Sequence, residues 1–190
     1  MNKSRLEAFS DGVLSIIITI MVLEFKPPQG GSFADLVSMW PLFLSYILSF
    51  IYVGIYWNNH HHLFQLVKSV RGPILWANLH LLFWLSLIPF VTSWANELRF
   101  ASVQVAMYGA VLFMCSVAYN LLVRMLVAEH DLKSDLTKAV GSGVKGKISA
   151  GLYLVGIGLT FWSAFVGLAV FVIVAVMWMV PDLRVEKRFD

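Results

Sequence analysis

Long apolar runs separated by short polar or charged clusters dominate the chain, and the lengths of the runs decide what they are. A bilayer core of about 30 Å takes roughly 20 helical residues to cross. Six runs meet or approach that length, at about residues 5–25, 38–64, 73–95, 101–127, 146–162 and 165–181. The last two come from one apolar stretch, Ile148 to Val180, which as a single helix would run about 50 Å and overshoot the membrane. Two shorter helices with a tight turn near Ser163 fit better. The pattern predicts an all-α integral membrane protein with six transmembrane helices in a single transmembrane domain over 1–190. Its longest polar segment, 128–147, is expected to be a loop.

Composition agrees and narrows the function classes. Hydrophobic residues make up 59% of the 190 positions, charged residues 13%, and the mean hydropathy is +0.77, far from the balance of soluble domains. Six crossings leave no room for a soluble catalytic domain. The net charge of +3 comes from basic residues scattered over loop ends, so it signals membrane topology and not nucleic acid. If the N-terminus is inside, all 14 Lys and Arg residues except Lys26 and Arg99 fall on the cytoplasmic side. Both termini and the Gly- and Ser-containing loop 128–147 are therefore expected to be cytoplasmic, in a multi-pass protein of the plasma membrane. The first run lacks a small-x-small cleavage site before Lys26-Pro27-Pro28, so it reads as a retained span and not a signal peptide. Cys115, alone in an apolar run, offers neither a disulfide nor a metal set.

The first span carries the candidate chemistry. At about 100° per residue, Gly12, Ile16, Thr19 and Leu23 fall on one stripe with Ile20 beside it, while Asp11 and Ser15 lie together on roughly the opposite side. Such a stripe packs against another helix or lines a path. Asp11 is better read as a hydrogen-bonded residue of the bundle than as an ion site, because ionisable groups in spans need partners. The second span ends in Trp57-Asn58-Asn59-His60-His61-His62. Consecutive helical residues diverge by about 100°, so the histidines cannot converge on one metal ion, and no metal site is expected. One of them, with Asn78 and His80 at similar depth on the third span, is expected to meet Ser10 and Asp11. Trp76, Trp84, Trp94, Trp162 and Trp178 suit interfacial anchoring and packing. No GxSxG, HExxH, Walker or GxGxxG pattern appears where a strand or loop would place it, so neither an enzyme nor a cofactor is expected.

Arg5-x-x-x-Phe9-Ser10-Asp11, an Ile/Thr-rich helix and then Leu23-Glu24 before prolines together resemble the opening of the transmembrane protein 175 family of potassium channels. Ser49-Phe50-x-x-x-Gly54-x-x-Trp57-x-x-His60-His61 is similar to that family's second helix. The resemblance implies a homotetramer in which four copies of the first helix line a central pore. It places the hydrophobic constriction at Ile16, with Ile20 and Leu23 one and two turns outward and a hydroxyl position at Thr19. It maps a helix anchor onto Arg5, Phe9, Ser10 and Asp11, with His60, His61 or His80 as partners. The implied partners are the lipid bilayer, potassium ions and further copies of the chain, with modest preference for potassium over sodium. No Thr-Val-Gly-Tyr-Gly filter occurs, so preference would come from Thr19 hydroxyls, helix-end carbonyls or acidic groups such as Glu24. A ring of Ile16 side chains could gate by dewetting. The competing readings are a proton-coupled secondary transporter, for which broken helices and repeats are expected and neither is visible, and a membrane enzyme using a histidine-bound metal.

Overall fold

Every regular element in the computed structural model is a helix among the residues it describes, which are 3–28, 30–67, 70–97, 100–129 and 143–179. In chain order these are α1 (Lys3–Leu23), α2 (Phe33–Ser38), α3 (Trp40–Gln65), α4 (Gly72–Ser86), α5 (Ile88–Glu97), α6 (Ser102–Ala128), α7 (Val144–Thr160) and α8 (Ala164–Met179). Lys3–Leu23, Trp40–Gln65, Gly72–Glu97 and Ser102–Ala128 are long and apolar enough to cross a membrane. The fifth and sixth passes are the antiparallel pair α7 and α8, of 17 and 16 residues. Alternate helices run in opposite directions, so Lys3, Gln65, Gly72, Glu129 and Val144 share one end of the bundle. Leu23, Trp40, Glu97, Ser102 and Ala164 share the other.

Two elements were not anticipated. A proline-containing break divides the third span at Leu87, because Pro89 has no N–H and its ring crowds the carbonyl four residues earlier. Ile88 and Pro89 are buried at the break, so it is a packed kink and not an opened one. Ahead of α3, Ser32 caps the short α2. Its Oγ accepts the Asp35 N–H at 3.2 Å, and Asp35 Oδ2 accepts the Ser32 N–H at 3.0 Å. The Ser32 hydroxyl and then its backbone N–H, both bonded to the carboxylate, hold the Asp35 carboxyl below its ordinary pKa. The cap is therefore complete above the ordinary carboxylate value and is lost as pH falls through the lowered one. The middle of the loop expected at 128–147, residues 130–142, lies outside the described residues, and α7 begins within its last part.

Inside a membrane, lipid is as apolar as leucine, so helices are held by close packing and internal hydrogen bonds. Small residues supply the closeness where α6, α7 and α8 meet. Side chains on Gly109 or Gly156 would collide with the fully buried Phe171 ring, and one on Gly167 would meet Thr160 and, at 2.9 Å, the Gly156 carbonyl oxygen. α1 sits at the far edge, touching α3, α4 and α5, with the α7–α8 hairpin on the opposite side of the bundle.

Because the obstacle at Gly167 is backbone, it cannot swing away. Gly167→Val is expected to cost about 1–3 kcal/mol, seen as a lower midpoint of thermal unfolding in detergent and a smaller monodisperse fraction. An unchanged midpoint would mean that the α7–α8 contact is looser than described.

Candidate ion path and helix anchor

Five residues of α1 at helical spacing, Leu6, Ser10, Leu14, Ile17 and Met21, are buried and form its face toward α3, α4 and α5. Diametrically across lies the stripe of Gly12, Ile16, Thr19 and Leu23, exposed among the described residues. Ile16 is 60% exposed, Leu23 76%, and neighbouring Ile20 43%. The face opposite the stripe thus belongs to Ser10, and the expectation that Asp11 and Ser15 lie there is corrected. Both are on the exposed side of α1.

That exposed side differs from a lipid-facing one. On α8 the exposed positions include Phe165, Val172, Ile173, Val176 and Met179, all apolar. On α1 the exposed positions mix Ile16, Ile20 and Leu23 with Arg5, Asp11, Gly12, Ser15 and Thr19. The two hydroxyls are tied to their own helix, Ser15 Oγ donating to the Asp11 carbonyl at 2.8 Å and Thr19 Oγ1 to the Ser15 carbonyl at 2.9 Å. With its proton so committed, Thr19 turns oxygen lone pairs outward beside Ile16 and Ile20, which suits a passing cation.

A buried chain of hydrogen bonds holds the other face. Ser10, His60 and Asn78 are 0%, 3% and 2% exposed. Asn78 Nδ2 donates to Ser10 Oγ at 3.0 Å, and Ser10 Oγ donates to the Leu6 carbonyl at 2.9 Å. The amide oxygen of Asn78 then faces His60 Nε2 at 2.8 Å, so the imidazole must donate there. Direction runs consistently from α3 through α4 to the backbone of α1, and the His60 ring is backed by Phe64 at 4.5 Å. Of the three consecutive histidines, His60 is the partner.

The remaining anchor candidates separate. Asp11 accepts the Trp57 Nε1–H at 3.0 Å on the exposed rim, and Trp57 stacks on His61 at 5.9 Å, which in turn contacts Gln65 at 2.7 Å. His80 accepts the Trp84 indole N–H at 2.9 Å on its own helix and does not join Ser10. Arg5 and Phe9 are exposed, Phe9 at 54%, so neither is buried in the anchor within one subunit. Glu24 is exposed, and its Oε2 accepts from Ser93 Oγ on α5 at 2.8 Å, which ties its carboxylate to that helix. Phe25 follows it into a cluster with Phe43 and Tyr46, at 5.0 and 5.1 Å. Among the described residues no three His, Cys, Asp or Glu side chains are grouped to hold a metal ion. The Trp57–Asp11 and Ser93–Glu24 bonds were missed, and Trp57 was visible only as a member of the aromatic and histidine run.

Comparison with known proteins places this geometry. The family model of the endosomal/lysosomal potassium channel TMEM175 matches residues 5–89, which cover α1, both anchor partners and the kink. A potassium channel of Chryseobacterium sp. (strain P1-3) is 54% identical over 187 residues, covering 98% of this chain and 97% of that one. The human endosomal/lysosomal proton channel TMEM175 is 38% identical over 96 residues, covering 44% of this chain and 19% of that one. The crystal structure of a lysosomal potassium-selective channel TMEM175 homologue from Chamaesiphon minutus superposes with a TM-score of 0.81 at 30% identity, over 96% of this chain and 97% of that one.

Removing the Ser10 hydroxyl strands a buried amide donor, so Ser10→Ala is expected to destabilise by about 1–3 kcal/mol, whereas Asp11→Ala, at an exposed rim, should stay within about 1 kcal/mol. Thermal unfolding in detergent reads both. Ser10→Ala combined with Asn78→Leu should cost less than the sum of the two, and strict additivity would show that the three groups do not act as one chain.

Proposed function

The chain belongs to the TMEM175 family of endosomal/lysosomal potassium channels, and from that premise we propose that it is a potassium channel of four identical subunits sharing one axial path. The observation that carries this reading is the uncovered stripe of α1. A single helix cannot enclose a path, but cyclic symmetry brings the same stripe of every copy to the axis. Ile16, Ile20 and Leu23 then form successive apolar rings, with Ile16 as the principal neck and the Thr19 oxygens beside it. A narrow apolar neck excludes water and ions until it widens, which makes it a gate. Preference among cations is assigned to Thr19, whose oxygen lies beside the Ile16 neck with its proton held by the Ser15 carbonyl.

In this arrangement Ser10, Asn78 and His60 are positioning residues that fix the rotation of α1, and Asp11 with Trp57 lies at the seam between copies. Arg5 and Phe9, exposed in one subunit, meet that seam as well. The protein resides in the plasma membrane with both termini cytoplasmic, following the bias of its basic residues. A transporter would be favoured by broken helices lining a midplane cavity. The break at Leu87–Pro89 is packed with buried residues instead.

Reconstitution into liposomes tests the proposal, with potassium, sodium and proton fluxes measured in parallel because vertebrate relatives bear the name of proton channels. Ile16→Asn is expected to raise resting potassium flux about tenfold or more, a barrier lower by about 1.4 kcal/mol. Thr19→Val should reduce the potassium-to-sodium ratio while conduction continues. A monomer in native mass spectrometry, or an Ile16→Asn variant with wild-type fluxes, would remove the basis of the axial-path reading.

A further inference from the structure

At the Leu23 end of the bundle, the ends of α3, α5, α6 and α8 enclose a groove of about 790 Å³ that the ion path does not use. Its upper walls include Trp40 and Leu44 of α3 and Phe165 of α8, with Leu48 and Leu168 further in. Phe100, which also lines it, holds a left-handed backbone with φ of 60°, a conformation that costs a side-chain-bearing residue about 1–2 kcal/mol. One wall is polar. Asn96 Nδ2 donates to Ser45 Oγ at 2.6 Å, and the single Ser45 proton is shared between the Leu42 carbonyl at 2.9 Å and Asn96 Oδ1 at 2.8 Å, leaving the second N–H of Asn96 with hydrogen-bonding capacity beside the groove.

The mouth identifies the medium outside it. On one side α2 and the start of α3 expose Phe33, Leu36, Val37 and Trp40, and on the other the α7–α8 turn exposes Phe161 and Trp162, the last at 80%. Large apolar and aromatic side chains concentrated at helix ends belong to the membrane interface, so the groove opens to lipid. α3 and α5 stand between it and α1, on the side of the bundle turned away from the stripe. We propose that the groove binds one acyl chain of a glycerophospholipid from the leaflet at the Leu23 end, with the ester region beside Asn96 and Ser45 and the chain along Leu48 and Leu168. The volume lies within the roughly 300–1,000 Å³ of sites that take small molecules, and one polar wall in apolar surroundings is what an ester-bearing chain requires.

The same two helices hold the end of α1 on their other faces. Phe43 and Tyr46 of α3 grip Phe25, and Ser93 of α5, next to groove-lining Thr92, binds Glu24. α3 and α5 are tied together at the groove wall by Asn96–Ser45 at 2.6 Å and Thr92–Ser49 at 2.7 Å, so an occupied groove bears on the pair as a unit and thereby on the α1 terminus they hold. Occupancy stands on the groove geometry alone, while its effect on conduction rests on the channel reading above.

The test uses the full-length protein in phosphatidylcholine and phosphatidylglycerol liposomes containing a small fraction of phosphatidylcholine with a diazirine on its acyl chain. After photolysis, peptides carrying residues 40–48 and 165–168 should be labelled about fivefold more than the plain lipid face around Val172, Ile173 and Val176, and Leu48→Trp should remove that excess. Leu44→Trp at the rim is the second variant should the first fold poorly. Labelling equal to that of the plain face reduces the groove to ordinary lipid contact and overturns the site. A benzoylphenylalanine replacing Leu44 that links to a second chain instead of lipid assigns the groove to a neighbouring copy and overturns it too. Potassium flux that changes at least about twofold in Leu48→Trp supports the coupling to α1, and unchanged flux with lost labelling overturns it. Wild-type protein without any flux would count against the channel reading, leaving the labelling result to be judged by itself.

Discussion

The hydrogen-bond chain from His60 through Asn78 to Ser10 is the constraint on which the arrangement of the subunit turns. In a hydrocarbon environment an unpartnered polar group costs several kcal/mol, so three such groups on three helices specify their mutual rotation far more sharply than apolar side chains do. Each link has a fixed direction, imidazole to amide oxygen, amide nitrogen to hydroxyl, hydroxyl to the Leu6 carbonyl. Rotating α1 by even one position would take Ser10 out of reach. The uncovered stripe is the geometric complement of this bond, because whatever faces away from Ser10 on a helix is determined once Ser10 is held.

The rest of the bundle supports that placement from behind. α3 and α4 supply the anchor, α6 backs the kinked third span, and the α7–α8 hairpin is drawn against α6 by contacts that glycines permit. The membrane-facing surface of α8 is uniformly apolar, whereas α1, the helix with the most polar exposed side, stands at the other edge. This segregation gives the bundle one uniformly apolar edge and one of mixed polarity.

Much of this was legible in the sequence, and the reasons it was differ from residue to residue. Run lengths and the distribution of Lys and Arg yield the helices because bilayer thickness and topology act on whole segments. The stripe through Ile16, Thr19 and Leu23 follows from angular spacing, and the position of Ser10 in a family motif pointed to an anchor. Three consecutive histidines could not be told apart, since which of them faces α4 depends on the rotation of α3. Asp11 was paired with Ser10 because they are adjacent, although adjacency on a helix means divergence, and its indole partner Trp57 lies on the exposed rim. Pro89 was visible, yet whether a proline bends or breaks a span depends on what packs over the freed carbonyl. The cap at Ser32 and Asp35 sits in a segment too short for periodicity to register.

Consider how α1 is fastened. Among the described residues its bonds to other helices run through Lys3, Ser10 and Asp11 in its first half and Glu24 just beyond its last residue. Between them Leu14, Ile17 and Met21 make only dispersion contacts, each weak and tolerant of sliding. Mechanically this is a beam clamped along its first half and again at Glu24, with the stretch between, where Ile16 and Thr19 stand, free of interhelical hydrogen bonds. In the proposed axial arrangement, bowing of that stretch toward α3 and α5 would widen the Ile16 neck without breaking these interhelical hydrogen bonds, resisted by the helix itself and by the close packing of Leu14, Ile17 and Met21.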